Sequence, residues 1–192
     1  MEKIRCPWAS NNEWNKTYHD AEWGVPLHDD AKLFEFLILD TFQAGLSWIT
    51  ILKKRDNFRK TFDNFDANII ANYSEDKIQE LIQDSGIIRN QMKIRATVSN
   101  AQAFLKLQKE FGSFDNYIWQ FTNHQTIINH WLNHTNIPTS TKESDAMSKS
   151  LKKNGFKFVG TTICYAYMQA TGMINDHTVN CFRYNEVREN KQ

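Results

Sequence analysis

At 192 residues the chain is long enough for one sizeable core or two small lobes, and 41% of it is hydrophobic. Its net charge of +1 does not announce a nucleic-acid binder, and three cysteines argue against a disulfide framework and fit a reducing compartment. The first residues carry charge and Pro7 but no apolar signal core, and no later run is long and charge-free enough to span a bilayer. A soluble cytoplasmic protein without membrane contact is therefore expected.

Taken in chain order, the pattern is helical throughout. Leu33, Phe36, Leu37 and Asp40 follow a helical period behind Asp29 and Asp30, which are candidate caps. If that helix continues, Ala44 and Trp48 follow on the same side and Asp40 points inward beside a large aromatic. Alternatively, Asp40 ends the helix and caps the segment from Thr41 to Ile51. A carboxylate on an apolar stripe needs a hydrogen-bonding or cationic partner, or its pKa rises. Ser74 can cap a helix carrying Ile78, Leu81 and Ile82, while Ile94, Val98, Ala101 and Leu105 mark the core face of the next long one. Between them, Leu81 to Asn90 forms a short glycine-containing hairpin with basic residues opening the second helix. Such a hairpin can hold a phosphate on backbone amides without reading sequence, or it is an ordinary connection.

Residues 112–139 give the weakest pattern; Pro138 and the Thr/Ser run after it mark a loop, with Trp119, Phe121 and Trp131 packing nearby. Ser140 with Glu143 is a candidate capping box ahead of Ala146, Met147 and Leu151, and Gly155 is a stop. Ile163 to Ala170 reads as a buried helix ended near Gly172, and strand signals are few and short. Three basic clusters stand out: Lys53, Lys54, Arg55, Arg59 and Lys60; Arg89, Lys93 and Arg95; and Lys149, Lys152, Lys153 and Lys157. Each is either a solvated face or part of a converging DNA surface.

Two features point to a site. Trp8, Trp14, Tyr18 and Trp23 crowd a stretch of poor periodicity, with Trp48 further on; they line a ligand pocket or form a small core of their own. Cys6 and His19 near one end and His177 and Cys181 near the other are donors suited to tetrahedral zinc, with His177 and Cys181 spaced for one helical turn. The bland reading is two terminal thiols, a loop histidine and a helix-end histidine. Cys164, in an apolar run, is set aside as a buried small side chain.

The blocks Tyr18-His19-Asp20, Glu22-Trp23-Gly24-Val25-Pro26, Gln43-Ala44-Gly45-Leu46-Ser47-Trp48, Leu52-Lys53-Lys54-Arg55, Gly86-Ile87-Ile88-Arg89, Pro138-Thr139-Ser140-Thr141, Lys152 through Cys164, and Asn175-Asp176-His177 follow one another over about residues 5–182. In these blocks the sequence resembles the bacterial DNA-3-methyladenine glycosylase I family of the helix-hairpin-helix superfamily. The resemblance implies an all-α helix-hairpin-helix glycosylase fold: a single domain over residues 1–192, either undivided or with two helical lobes, with the hairpin region at 75–110 and the termini joined by zinc. It implies a monofunctional enzyme that hydrolyses the N-glycosidic bond of 3-methyladenine in alkylated double-stranded DNA and releases 3-methyladenine; oligomeric state stays open, and a lone DNA-reading module can act as a monomer.

By the same resemblance, one structural Zn2+ per chain is held by Cys6, His19, His177 and Cys181. Trp48 stacks on the flipped base, Tyr18 and Asp40 hydrogen-bond its edge as the catalytic pair, Trp8 and Trp23 complete the walls, and Gln43 is a further polar contact. Gly86, Ile87, Arg89 and Lys93 grip the DNA backbone. The chain departs from the family at two points: Asp40 stands where glutamate is usual, and Asn15 stands where a tyrosine is familiar, with Trp14 beside it offering an aromatic surface. Methylation at N3 makes adenine a cationic leaving group, so little general-acid help is needed, and neither Asp145 nor Asp176 is assigned as a base. The alternative reading is a non-catalytic protein that binds alkylation damage.

Overall fold

Ten consecutive residues, Leu33 to Phe42, are buried, and the helix that carries them lies at the centre of the molecule. The computed structural model describes residues 3–189. A 3-10 turn at Pro7–Asn11 leads into α1 (Glu13–Ala21) and the central α2 (Asp30–Gln43). Short helices α3 (Trp48–Leu52), α4 (Arg55–Thr61) and α5 (Ala67–Ile70) lead to α6 (Glu75–Gln83) and the long α7 (Gln91–Phe111). The chain then forms α8 (Phe114–Trp119), α9 (Lys142–Lys153), α10 (Thr161–Ala170) and α11 (Phe182–Glu189).

From Leu33 to Phe42 helix α2 is buried on every side, which makes it a core element. It packs against α3, α7, α8 and α10, while α9 lies along α10 and α5 along α7. Asp29 caps α2 by accepting from the Lys32 amide, and Asp30 accepts from the Phe114 and Asp115 amides that open α8, at 2.8 Å each. The helix runs unbroken through Asp40, so Asp40 is an interior residue and caps nothing; Trp48 enters on the next helix.

Ser74 caps α6 and Asn90 caps α7. The core face of α7 is Ile94, Thr97, Ala101, Phe104 and Leu107, with Val98 and Leu105 only half-buried at its edge. The capping box of α9 lies one residue later than Ser140–Glu143: Thr141 accepts from the Ser144 amide and the Ser144 hydroxyl accepts from the Thr141 amide. A serine hydroxyl closes the box in place of a longer glutamate. Within residues 112–139 the structure adds a two-residue parallel bridge, Ile127–Ile128 against Ile174–Asn175, which ties that segment to the chain behind α10. Gly172, at φ +70°, ends the turn after α10 where any Cβ would sit 2.3 Å from Val25 carbon and Pro26 nitrogen. No helix among the described residues is long and apolar enough to cross a membrane.

The basic clusters divide by use. Arg55 spans Glu22 and Glu35, and Arg59 also reaches Glu35, so both arginines hold α4 to α2 and Arg55 ties it to the chain after α1 as well. Lys54 donates to the Ser85 and Gly86 carbonyls at 2.8 and 3.2 Å and supports the α6–α7 hairpin from outside. Lys93 is a correction to its expected place on the DNA backbone. It is buried, and its ammonium donates to the Phe42 and Ala44 carbonyls at 2.9 and 2.6 Å, closing the C-terminal end of α2 where helix carbonyls lack partners. Burial pulls its pKa down.

Candidate active site and metal centre

Cys6, His19, His177 and Cys181 are all buried, and their donor atoms lie within 4.8 Å of one another. Cys181 Sγ lies 3.4 Å from His19 Nε2 and 3.5 Å from His177 Nδ1, and Cys6 Sγ lies 3.6 Å from His177 Nδ1. A tetrahedral zinc with ordinary Zn–S and Zn–N bonds demands about 3.5 Å between such donors, so the four side chains fit the ion as placed. Each imidazole is turned by an outer contact: His177 Nε2 meets the Trp23 carbonyl at 3.0 Å, leaving Nδ1 inward, and His19 Nδ1 meets Asp20 at 2.9 Å, leaving Nε2 inward. Asp20 is in turn forked by Arg5. Gly24, at φ +80°, lets the chain pass His177, since a Cβ there would lie 3.0 Å from Nε2. Each thiol acting on the other pushes the Cys6 pKa up and the Cys181 pKa down, and a bound dication favours the thiolate of both. The cluster is positioned to hold a structural zinc ion that joins the two ends of the chain, and four protein ligands leave no open coordination position.

Trp23 is the wall between this centre and a cavity of ≈ 340 Å³. Its ring packs edge-on against His177 at 4.6 Å and against Trp8 at 5.1 Å, and Trp8 packs edge-on against His19 at 5.4 Å. Tyr18 lies 5.3 Å from Trp48, ring centre to ring centre. Trp8, Tyr18, Trp23, Asp40, Gln43 and Trp48, all expected at the base pocket, do line this one cavity. Within it Asp40 Oδ2 and Trp48 Nε1 are buried without a hydrogen-bond partner. Burial pushes the Asp40 carboxyl well above its ordinary range. Burial, then the nearby Asp40 and Glu22 charges, pushes Tyr18 up as well.

Three expectations change. Trp14 stands 49% exposed in the first turn of α1 and does not line the cavity, which α1 meets further along, at Tyr18. Asn15 donates its amide to the Trp8 carbonyl at 3.3 Å, so the position where tyrosine is familiar supports a wall instead of forming one. Gln43 borders the cavity, yet its Nε2 donates to the Leu46 carbonyl at 2.6 Å and holds the turn through Gly45, on which Leu46 is 37% exposed. The sequence reading missed His134, Ile137, Ala166, Gln169 and Ala170, which complete the lining. The spacing of Ala166, Gln169 and Ala170, one face of one helical turn, was the available signal.

At the hairpin, the Gly86 amide donates to Asp84 Oδ1 at 2.7 Å and the Ile87 side chain is core. Among the described residues, the amides of Ile88 and Arg89 donate to no protein group, and Arg89 is exposed.

A profile of the family described as Methyladenine glycosylase matches residues 8–184. The chain belongs to the methyladenine glycosylase family. It is 51% identical over 180 residues to DNA-3-methyladenine glycosylase 1 of Escherichia coli (strain K12), covering 94% of this chain and 96% of that one. A crystal structure of 3-methyladenine DNA glycosylase I is 50% identical, with a TM-score of 0.91 over 93% of this chain and 98% of the other. A tyrosine-to-phenylalanine variant of 3-methyladenine DNA glycosylase I, solved in complex with 3-methyladenine, is 30% identical with a TM-score of 0.90, over 93% and 96% of the two chains. In this methyladenine glycosylase, then, the fold is that of the helix-hairpin-helix glycosylases, and the metal cluster and aromatic cavity are built on it as neighbours.

Proposed function

We infer that this methyladenine glycosylase excises 3-methyladenine from alkylated duplex DNA by hydrolysing its N-glycosidic bond, acting as a monomer in the bacterial cytoplasm. The observation that carries the reading is the buried, unpartnered carboxyl of Asp40 inside an aromatic cavity. Burial disfavours the charged form of that carboxyl; a cationic base entering beside it favours the charge and supplies the missing partner. Trp48 stacks on the base, Tyr18 and Asp40 bond its edge, and Trp8 and Trp23 close the walls. An uncharged, well-stacked base gains none of the ion pairing, so selectivity follows from the lesion's own charge.

The ion at the four-ligand centre would supply only structure: it fixes Trp23 through His177 and the backbone beside it. On the DNA side, the free amides of Ile88 and Arg89 suit a phosphate, with Lys54 holding the hairpin in shape. Leu46, exposed at its turn between Gln43 and Trp48, suits the space that an extruded nucleotide leaves in the stack. Asp145 is exposed, and Asp176 has both oxygens occupied by donors, so neither suits the role of base.

The test is chromatography of free bases released from methylated duplex DNA by the zinc-loaded protein. Selective appearance of 3-methyladenine, with the strand left uncut at the abasic site, is the expected result. A folded protein that binds the methylated duplex but liberates no base would instead be a damage-binding relative.

A further inference from the structure

Asp176, buried behind the cavity, accepts four hydrogen bonds. Asn129 Nδ2 and Trp131 Nε1 reach Oδ1 at 2.7 and 2.6 Å, and the Tyr165 hydroxyl and Gln169 Nε2 reach Oδ2 at 2.6 and 2.7 Å. A carboxylate accepts and does not donate, so the Gln169 amide has one orientation: its nitrogen is committed to Asp176 and Oε1 is turned away. Oε1 has no partner among the described residues and is not sealed inside the protein. Gln169 borders the cavity between Ala166 and Ala170, whose small side chains leave it room.

An unrestrained amide can flip and serve a donor or an acceptor; this one is held as an acceptor. We propose that Gln169 Oε1, oriented by Asp176, is a specificity-determining acceptor for the exocyclic amino group of the extruded base, making the pocket prefer 3-methyladenine to 3-methylguanine. The proposal rests on the glycosylase reading above. The amine on C6 of 3-methyladenine carries two N–H donors, and the cavity is bordered by two acceptors, the Asp40 carboxyl and Gln169, whose Oε1 is unpartnered among the described residues. The guanine analogue presents a carbonyl oxygen at that edge. Its lone pairs would meet those of Oε1 and lose their water without replacement.

The experiment titrates free 3-methyladenine and free 3-methylguanine into wild type, Gln169→Met and Asp176→Asn, reading tryptophan fluorescence, zinc content and melting. The same proteins are then assayed for release of both bases from methylated duplex DNA. Wild type binds 3-methyladenine about tenfold or more tighter than 3-methylguanine, the worth of one hydrogen bond replaced by two desolvated acceptors that face each other. Gln169→Met loses that preference through weaker 3-methyladenine binding. Asp176→Asn narrows it too, since a neutral amide opposite lets Gln169 present its nitrogen. Equal wild-type affinity for the two bases, or a preference unmoved in a zinc-containing Gln169→Met protein, overturns the assignment. If wild type releases 3-methyladenine but the preference is unmoved, only the role of Gln169 fails; if it releases no base, the glycosylase reading itself has failed.

Discussion

The metal centre and the base cavity share a wall, and they treat polar atoms in opposite ways. At the centre every donor is engaged: each imidazole has a sulfur at one nitrogen and a carbonyl or carboxylate at the other, and Asp20 behind His19 is itself forked by Arg5. In the cavity, a few ångströms across Trp23, a carboxyl oxygen and an indole N–H are buried with nothing to bond. A buried unpartnered polar group costs about 1–3 kcal/mol, so the cavity holds groups that only a ligand can satisfy, while the clasp next to it is complete without one. The difference teaches where this fold keeps its stability and where it gives some up for recognition.

Breaking the clasp has the largest expected effect. Cys181→Ser, or metal removal by a chelator, strips the tie between the two ends and leaves buried donors facing each other. A loss of about 4 kcal/mol or more is expected, about 8–16 °C in Tm for a chain of this size, measured by thermal melting with zinc content determined in parallel. An unshifted Tm would deny the centre its structural role. Next comes Trp48→Ala, which should weaken free 3-methyladenine binding by about 1–3 kcal/mol, the worth of one base–aromatic stack, while Tm moves far less than in the clasp variant. Fluorescence titration of the free base separates the two, and a purely structural Trp48 would reverse that order.

Smaller effects belong to the hairpin. Lys54→Met removes two hydrogen bonds to the Ser85 and Gly86 carbonyls and should weaken duplex binding by about 1 kcal/mol while free-base affinity stays unchanged. Arg89→Ala should lower the slope of log affinity against log salt by about 0.9, the signature of one lost phosphate contact. If both variants bind duplex DNA with the wild-type salt dependence, the DNA surface lies elsewhere.

Much of the comparison was legible in the sequence, though for uneven reasons. Residue type and spacing offered four zinc donors only as one of two readings and the family resemblance selected it, but only folding shows that 3.4–3.6 Å separates sulfur from nitrogen. The helical period placed Asp40 inward correctly, yet α2 is buried all round and would have enclosed it on any face. Lys93 was misplaced because the one-dimensional pattern groups it with Arg89 and Arg95, while its long stem lets it reach the end of α2, 49 residues earlier at Ala44. Trp14 sits among pocket tryptophans in sequence, but helix α1 turns it outward. Gln169 went unread because a glutamine in an apolar helix carries no motif; its meaning comes from Asp176, which reaches it from beyond the end of that helix.

The central claim is that Asp40 is held at a cost to stability for the sake of a cationic base, and pH separates the two sides of it. Its pKa in the folded protein is raised above the ordinary 3.8, so the unfolded chain loses the proton first, and stability falls as pH rises from that ordinary value toward the raised one. Excision should move the other way, rising with pH as the carboxylate forms. The decisive measurement is Tm and 3-methyladenine release for wild type and Asp40→Asn side by side from pH 4 to pH 8. The account predicts a Tm for Asp40→Asn that matches wild type near pH 4 and exceeds it increasingly toward pH 8, with release reduced by about a hundredfold and little dependent on pH. A variant that excises at the wild-type rate, or one that melts progressively below wild type as pH rises, would contradict it.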